Sequence, residues 1–195
     1  MALHTGRTSD YLSPFRILLA EPNPLMRKVT RDILFLLGGR RIIDTGDINV
    51  AAQFIAQGGV DIVLSEWYLE GACGVDLVRW VRREQTDIRF TPIIMLTSQT
   101  RVQNIVIARN SGITEFVAKP FTARSLIARI REVVERPRPF VGVGQYFGPD
   151  RRRRAGAVEK KAERRESAAL LINGYDLSQP DIDAMISGGR GRSRI

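Results

Sequence analysis

A carboxylate at the end of a buried strand is the first feature of this sequence that suggests chemistry. Ile62, Val63 and Leu64 form an apolar run too short for a helix, which predicts a strand buried on both faces of a parallel sheet. Glu66 follows this run, within the stretch from Asp61 to Gly74. Because ligands of open α/β sheets gather beyond the carboxyl ends of the strands, Glu66 is the first candidate site residue.

Two other reactive side chains are weaker candidates. Cys73 lies in the same loop, but the sequence places no cation beside it, so packing is the favoured interpretation over redox chemistry. As the single cysteine it forms no disulfide within the chain, which fits a reducing compartment. His4, the single histidine, lies in a terminus predicted to be disordered, which argues against a histidine metal site or a catalytic triad.

The composition is typical of one domain with an appendage. The chain has 195 residues, of which 44% are hydrophobic and 26% charged, enough for one ordinary core. Apolar runs such as 33–37 fall far short of the roughly 20 residues that cross a bilayer. The first fifteen residues lack the apolar centre of a secretory signal. We therefore expect a cytoplasmic protein.

Five strand patterns alternate with five helix patterns. The predicted strands cover 16–20, 41–45, 62–64, 92–97 and 114–118, and the predicted helices cover 24–37, 50–57, 75–84, 101–110 and 123–136. Asn23 suits the N-cap of the first helix and Pro24 its first position. Its apolar residues recur at helical spacing, opposite three basic ones, at Leu25, Val29, Ile33, Leu36 and Leu37. The alternation predicts an α/β fold with one parallel sheet covered on both faces.

Four segments in this pattern resemble a response regulator receiver domain of the CheY-like type, over residues 16–136. They cover residues 17–27, 61–74, 92–97 and 116–121, which read ILLAEPNPLMR, DIVLSEWYLEGACG, PIIMLT and FVAKPF. The resemblance implies a flavodoxin-like sheet of five parallel strands in the order 2-1-3-4-5. It also implies a role in two-component signal transduction, as a phosphorelay protein and not as an enzyme.

The resemblance assigns roles to particular positions. In that family an acidic pair after the first strand and an aspartate after the third hold Mg²⁺, and this aspartate accepts a phosphoryl group. Glu66 stands at the phosphoacceptor position, and Glu21 and Pro22 stand at the acidic pair. The positions of the phosphate contacts and of the switch aromatic are filled by Thr97, Phe116, Lys119 and Pro120.

Two of these positions depart from the family pattern. Pro22 has no carboxylate, so one ligand of the metal is missing. Glu66 is one methylene longer than aspartate and reaches toward Thr97 and Lys119, into space that a phosphoryl group would occupy. Since Mg²⁺ demands near-octahedral oxygen ligands, we predict a degenerate site with no bound metal and no cofactor. Mg²⁺ is expected only if the receiver is phosphorylated after all.

The hypothesis is a pseudo-receiver in which Glu66 pairs with Lys119 and mimics the phosphorylated state; the alternative is a decayed site with a solvated Glu66. Such a protein would bind a signalling partner through the face of its fourth and fifth helices, without phosphorylation. Homodimer formation is a second use of that face. Its basic residues are Arg101, Arg109, Arg124, Arg129 and Arg131. Two other hypotheses stay open. In one the protein is a receiver phosphorylated by a histidine kinase, and in the other it binds an anionic surface or a nucleic acid through residues 151–154.

The segments outside the receiver are predicted from composition. We predict a disordered N-terminus over 1–14, the receiver over 15–136, a Pro/Gly/Arg-rich linker over 137–157, short helical segments over 158–187 and a disordered tail over 188–195. One of the short helices is predicted over 179–186.

A basic run lies inside the predicted linker. Its members are Arg151, Arg152, Arg153 and Arg154. Four consecutive arginines could meet phosphates or anionic lipid, but a solvated run is the favoured interpretation. The net charge of +9 is spread over the whole chain, which argues against a nucleic-acid or membrane-surface partner.

Overall fold

The structure, a computed structural model that describes residues 10–151 and 178–186, contains the five predicted strands and the five predicted helices. The strands are β1 (Arg16–Ala20), β2 (Arg41–Thr45), β3 (Ile62–Ser65), β4 (Ile93–Thr97) and β5 (Glu115–Ala118). The helices are α1 (Pro24–Leu36), α2 (Ile48–Ala56), α3 (Gly74–Arg83), α4 (Val102–Ser111) and α5 (Ala123–Glu135). A 3₁₀ turn, Asp87–Phe90, precedes β4. The alternation read from the sequence is therefore confirmed.

All five strands lie in one parallel sheet. Their order is β2-β1-β3-β4-β5, which confirms the order implied by the resemblance. The register places Ala20 beside Thr45 and Ser65, and Thr97 beside Ala118. Because the strands are parallel, their carboxyl ends meet at one edge of the sheet.

Two apolar cores cover the two faces of this sheet. Successive side chains of β1 enter opposite cores, as the pleat of a strand requires. Leu18 packs in the core formed with α2, α3 and α4, whereas Ile17 and Leu19 pack in the core formed with α1 and α5. Burial on both faces explains why the strands read as continuous apolar runs in the sequence.

Side-chain caps set the start of the first two helices. Asn23 Oδ1 accepts the backbone N–H groups two and three residues further on, both at 3.0 Å, as predicted for the N-cap of α1. Asp47 Oδ1 makes the equivalent contacts at 2.6 and 3.1 Å. This second cap starts α2 at Ile48, two residues before the start predicted from the apolar spacing, because the Asp47 carboxylate binds the free N–H groups of the first turn.

Helix α1 corrects the orientation suggested by its apolar pattern. Its buried residues are Thr30 and Leu34. Leu25 and Leu36, on the predicted apolar face, are 68% and 74% exposed. The basic side of the helix faces β2, where Arg31 Nη1 pairs with the Asp44 carboxylate at 3.0 Å. Arg27 and Arg31 both pair with that acid, and part of the apolar stripe is left in solvent.

A hairpin corrects the linker predicted for residues 137–157. Strands β6 (Phe140–Val143) and β7 (Tyr146–Pro149) pair antiparallel. Phe140 and Phe147 pack on Phe90, each with ring centroids 5.5 Å from that ring. Aromatic side chains on both strands supply apolar area that a Pro/Gly linker lacks, and this area anchors the hairpin on the receiver.

The last described element is α6 (Gln179–Ile186), which covers the residues predicted for it. It lies against α4 and β5, and Ile182 and Ile186 join the core that contains Leu18. The predictions for residues 1–9, 152–177 and 187–195, including the charged helical segment and the disordered tail, lie outside the described residues. In the part of the chain that is described, no helix is long and apolar enough to cross a membrane.

Candidate functional site

Four strand ends bring the predicted site residues to one edge of the sheet. Glu21 follows β1, Glu66 follows β3, Thr97 ends β4 and Lys119 follows β5. Backbone hydrogen bonds hold these ends in place. Glu66 N donates to Ala20 O at 2.8 Å, and Lys119 N donates to Thr97 O at 2.9 Å. Residues that are distant in sequence therefore share one site.

Lys119 lies between two carboxylates. Its Nζ is 2.5 Å from Glu21 Oε2 and 2.6 Å from Glu66 Oε2. The side chains of Lys119, Glu21 and Glu66 are 12%, 5% and 13% exposed, respectively. Charged groups at this depth are tolerated only when they are paired, so each of the three depends on the others. We refer to them as the Glu21–Lys119–Glu66 cluster.

The second oxygen of each carboxylate also has a donor. Glu66 Oε1 accepts the backbone N–H of Trp67 at 2.6 Å, and Glu21 Oε1 accepts that of Asn23 at 3.0 Å. Both carboxylates are thus held by the ammonium group on one side and by the backbone on the other. The Glu66 side chain is therefore paired and largely buried at the site.

Thr97 and Phe116, the other two predicted positions with a switch role, lie on β4 and β5. Both side chains are fully buried. Thr97 Oγ1 accepts the backbone N–H of Gln99 at 3.1 Å, so its hydroxyl oxygen is bonded to the loop that follows β4. Phe116 packs inward in the core beside α4. Pro120 follows Lys119 through a cis peptide bond.

The acidic edge does not fit Mg²⁺. Pro22, at the second acidic position, offers no carboxylate, and the Arg27 guanidinium lies nearby, with Nη1 donating to Glu21 O at 2.6 Å. Mg²⁺ needs several oxygen ligands in near-octahedral geometry. The Oε2 atoms of Glu21 and Glu66 instead contact an ammonium group. Within residues 10–151 and 178–186, no group of three or more His, Cys, Asp or Glu side chains is placed to hold a metal ion.

Cys73, the candidate for redox chemistry, is half-buried. Its Sγ donates to Trp67 O at 3.3 Å. Burial raises the pKa of the thiol above its ordinary value, which disfavours the reactive thiolate. This environment supports the packing role.

Two of the arginines considered for partner binding contact another part of the chain. Arg109 Nη1 donates to Met185 O at 2.8 Å, and Arg129 Nη2 pairs with Asp183 Oδ2. Both contacts join the predicted partner face to α6. These side chains are therefore engaged within the chain in this structure.

The basic run predicted to be solvated is described at its first residue. Arg151 donates from Nη1 to the Asn110 side chain at 2.9 Å and stacks on Tyr146. Arg151 is therefore half-buried, with contacts to an amide of α4 and to an aromatic ring of the hairpin. The predictions for Arg152, Arg153 and Arg154 lie outside the described residues.

Glu115, on β5, is a buried carboxylate that the sequence interpretation missed. It is 6% exposed, and its Oε1 accepts the backbone N–H of Phe116 at 3.1 Å. Burial is the largest influence and raises the pKa of this carboxyl group, against the opposing charges of Arg138 and Arg129. The available signal was an acidic residue inside an apolar strand, which is unusual unless the group is paired.

Glu115→Gln is expected to increase stability near neutral pH. Because the pKa of Glu115 is higher in the folded than in the unfolded chain, the folded state holds a proton that the unfolded state releases. The resulting stabilisation is complete below the unfolded pKa and is lost as the pH rises through the folded pKa. Each pH unit between the folded and the unfolded pKa corresponds to about 1.4 kcal/mol in the free energy of unfolding. Urea unfolding of both proteins from about pH 4, near the ordinary carboxyl pKa, to about pH 8 checks this, and identical pH profiles would contradict it.

The sheet order and the acid and lysine side chains at its carboxyl edge define a receiver domain of the flavodoxin-like fold. Solved structures agree. The chemotaxis response regulator CheY4 of Vibrio cholerae superposes with a TM-score of 0.56 at 23% identity, over 61% of this chain and 98% of that one. The receiver domain of a sensor histidine kinase from Pseudomonas aeruginosa, with a magnesium ion coordinated in its active-site cleft, superposes with a TM-score of 0.57 at 26% identity, over 61% and 96%.

Sequence comparison identifies the family. The family model described as response regulator receiver domain matches residues 17–131, more than half of the chain. The chemotaxis protein CheY of Pseudomonas aeruginosa is 29% identical over 121 residues, which cover 62% of this chain and 97% of that protein. CheY-3 of Vibrio cholerae is 26% identical over 121 residues, with coverages of 62% and 92%. The chain belongs to the response regulator receiver family of two-component signalling.

Proposed function

We propose that this receiver binds a partner protein without being phosphorylated, with Glu66 standing in for the phosphorylated side chain. One observation carries the proposal: Lys119 Nζ lies 2.5 and 2.6 Å from the carboxylates of Glu21 and Glu66. In a phosphorylated receiver the lysine neutralises phosphoryl oxygens. Here the two carboxylates already supply the negative charge that it would contact.

The position of Glu66 also weakens the case for phosphoryl transfer. The atom that would attack a phosphoryl donor must approach it in line, with cations neutralising the transferred group. Glu66 Oε2 is bonded to Lys119 and Oε1 to the Trp67 backbone, so attack would require breaking one of these contacts. The loss of a carboxylate at Pro22 removes part of the metal site that the reaction needs. These features favour the mimic over the phosphorylated receiver.

The low exposure of Glu66 favours the mimic over the decayed site. In a decayed site the carboxylate would be expected to face water, since an unpaired charge is costly to bury. The Glu66 side chain is instead 13% exposed and is bonded to the lysine that contacts phosphate in the family. The partner surface that we propose is the face formed by α4, β5 and α5, because β5 links it directly to Lys119.

Restoring the missing carboxylate geometry is expected to restore metal binding. In the protein that keeps Pro22 and Glu66, millimolar Mg²⁺ should leave the fluorescence of Trp67 unchanged, since no site accepts the ion beside it. In Pro22→Asp/Glu66→Asp, a saturable change is expected, because two aspartates and Glu21 can then surround a divalent ion. Both proteins carry Trp80→Phe, which leaves Trp67 as the single tryptophan.

Acetyl phosphate provides the second measurement on the same pair of proteins. With Mg²⁺ present, intact-protein mass spectrometry should detect a phosphoryl adduct on the double variant and none on the native protein. Pro22→Ala/Glu66→Gln is the matched control, with the same positions changed and no carboxylate added. A native protein that gains a phosphoryl group, or that binds Mg²⁺ as the double variant does, would overturn the proposal in favour of the phosphorylated receiver.

A further inference from the structure

The outer edge of β5 is covered by a side chain of α6. Gln179 Oε1 accepts the backbone N–H of Ala118 at 2.5 Å, and Gln179 Nε2 donates to Phe116 O at 2.9 Å. Both groups point away from β4, to the side on which a further strand would pair, since β5 is the last strand of the sheet. One amide side chain therefore occupies two hydrogen-bonding groups of this edge immediately before Lys119.

Two isoleucines of α6 fill the space behind this contact. Ile182 and Ile186 lie one turn apart on the same face of the helix and are 0% and 2% exposed. They join the core that contains Ile105 and Ala108 of α4 and Phe116 of β5. We refer to the site formed by α4, β5 and α5 beneath these residues as the helix groove. Its floor includes the aromatic residue at the switch position.

Arginines at the rim of the helix groove hold the polar groups of α6. Arg129 of α5 pairs with Asp183, and Arg109 of α4 donates to Met185 O at 2.8 Å. Arg138 Nη1 donates to Ile186 O at 3.4 Å. Cations at the carboxyl end of a helix satisfy carbonyl groups that have no partner within the helix and interact favourably with its dipole. The groove thus recognises a helix by its edge amide, its apolar face and its C-terminal end.

The helix that occupies this groove is held by contacts and not by its own helical propensity. Helix α6 has eight residues, whereas isolated helices shorter than about 12 residues are marginal in water. In sequence it is separated from the hairpin by residues 150–178. A short helix on a long connection behaves as a tethered ligand, which a competing helix can replace.

We infer that the helix groove is a receptor for a short helix, that α6 is its resident ligand, and that the partner protein binds by replacing α6 with a helix of the same chemistry. That chemistry is a glutamine in the first turn, aliphatic residues three and seven positions later and an acidic residue four positions later. The inference rests on the proposed function for the choice of partner surface and adds that this surface is closed until α6 leaves. Regulation would then act on α6, since the Glu21–Lys119–Glu66 cluster has no phosphate to gain or lose.

A fluorescent peptide with the sequence of residues 175–190 tests this exchange in the full chain. Ile182→Asp is expected to release α6, because it places a charge in an apolar site, and to let the peptide bind with a saturable rise in anisotropy. The native protein should bind the same peptide at least about tenfold more weakly, because a tethered α6 competes at an effective concentration in the millimolar range. Pro180→Ala, an exposed change on the same helix, should behave as the native protein does.

Two further measurements keep the result unambiguous. A peptide that itself carries Ile182→Asp should not bind the opened protein. If Ile182→Asp does not fold, Gln179→Ala/Asp183→Ala removes the edge amide and the ion pair with less disturbance of the core and serves as the opened protein. The inference is overturned if an opened protein that is folded does not bind the native peptide. It is also overturned if the opened and native proteins bind this peptide equally well.

The assay is independent of the test of the proposed function. Neither Mg²⁺ nor a phosphoryl donor is present, and Glu66 is not changed. If the peptide binds the opened protein and the separate acetyl phosphate assay phosphorylates the native protein, the helix groove is supported and the phosphate-independent mechanism is overturned. If the peptide does not bind and the native protein is not phosphorylated, the helix groove is overturned and the phosphate-independent mechanism is supported.

Discussion

Lys119→Ala is expected to lower the free energy of unfolding by about 3–5 kcal/mol, because removing one partner of a buried ion pair leaves the other charge uncompensated. Two carboxylates are affected here. Glu21 and Glu66 both contact Lys119 Nζ, and their side chains are 5% and 13% exposed. Without the ammonium group they would repel each other at the edge of the sheet. Urea unfolding at neutral pH measures the loss.

Lys28→Ala is the matched control for this loss. Lys28 Nζ lies 2.7 Å from Asp32 Oδ2, a distance similar to those at Lys119, but the two side chains are 66% and 52% exposed. An exposed pair of this kind contributes about 0.5 kcal/mol or less. Adding Glu66→Gln to Lys119→Ala should recover part of the stability, since one of the repelling charges is removed. Equal losses from Lys119→Ala and Lys28→Ala would show that the cluster does not hold the strand ends together.

Arg82→Met is expected to cost at least about 3 kcal/mol, since it leaves three carbonyl groups without their donor and each such group costs about 1–3 kcal/mol. Arg82 is buried in α3. Its guanidinium donates to the carbonyl oxygens of Gly112, Arg89 and Thr91 at 2.8, 2.7 and 2.8 Å. It also lies 5.0 Å from the ring centroid of Phe140. One side chain thus joins α3, the segment before β4, the end of α4 and the hairpin.

The charge of Arg82 persists at neutral pH although burial lowers the pKa of the guanidinium to about 9. Methionine keeps most of the volume but donates no hydrogen bond, so three carbonyl groups lose their donor. Arg79→Ala is the control on the same helix, where the pair with Asp76 is half exposed and contributes little. Chemical unfolding measures both variants. A loss below about 1 kcal/mol, the contribution of one neutral hydrogen bond, would contradict the assigned role.

Much of this architecture could be predicted from local sequence patterns. The strand and helix positions follow from hydrophobic period and capping residues, such as Asn23 before α1, because these signals depend on neighbours a few residues apart. The short helix over 179–186 was predicted in the same way. Placing Glu66 and Lys119 at one edge required only that both follow strands of a parallel sheet.

Other features depend on how the elements pack. The apolar spacing of α1 did not reveal which side meets the sheet, and Leu25 and Leu36 are exposed. The hairpin around Phe140 and Phe147 was missed because its stability comes from Phe90, about 50 residues earlier in the chain, and not from its own sequence pattern. Short hairpins without such support are marginal, so composition alone favoured a linker.

The amino-acid sequence by itself determined the alternation of strands and helices, the residue types at the carboxyl edge and the absence of a carboxylate at Pro22. Only the tertiary structure decided that Lys119 is shared by Glu21 and Glu66, that Glu115 is buried, and that Gln179 closes the edge of β5. The physical reason is the range of the interactions. Periodicity and capping act between neighbours, whereas ion pairing and burial join residues that the folded chain alone brings together.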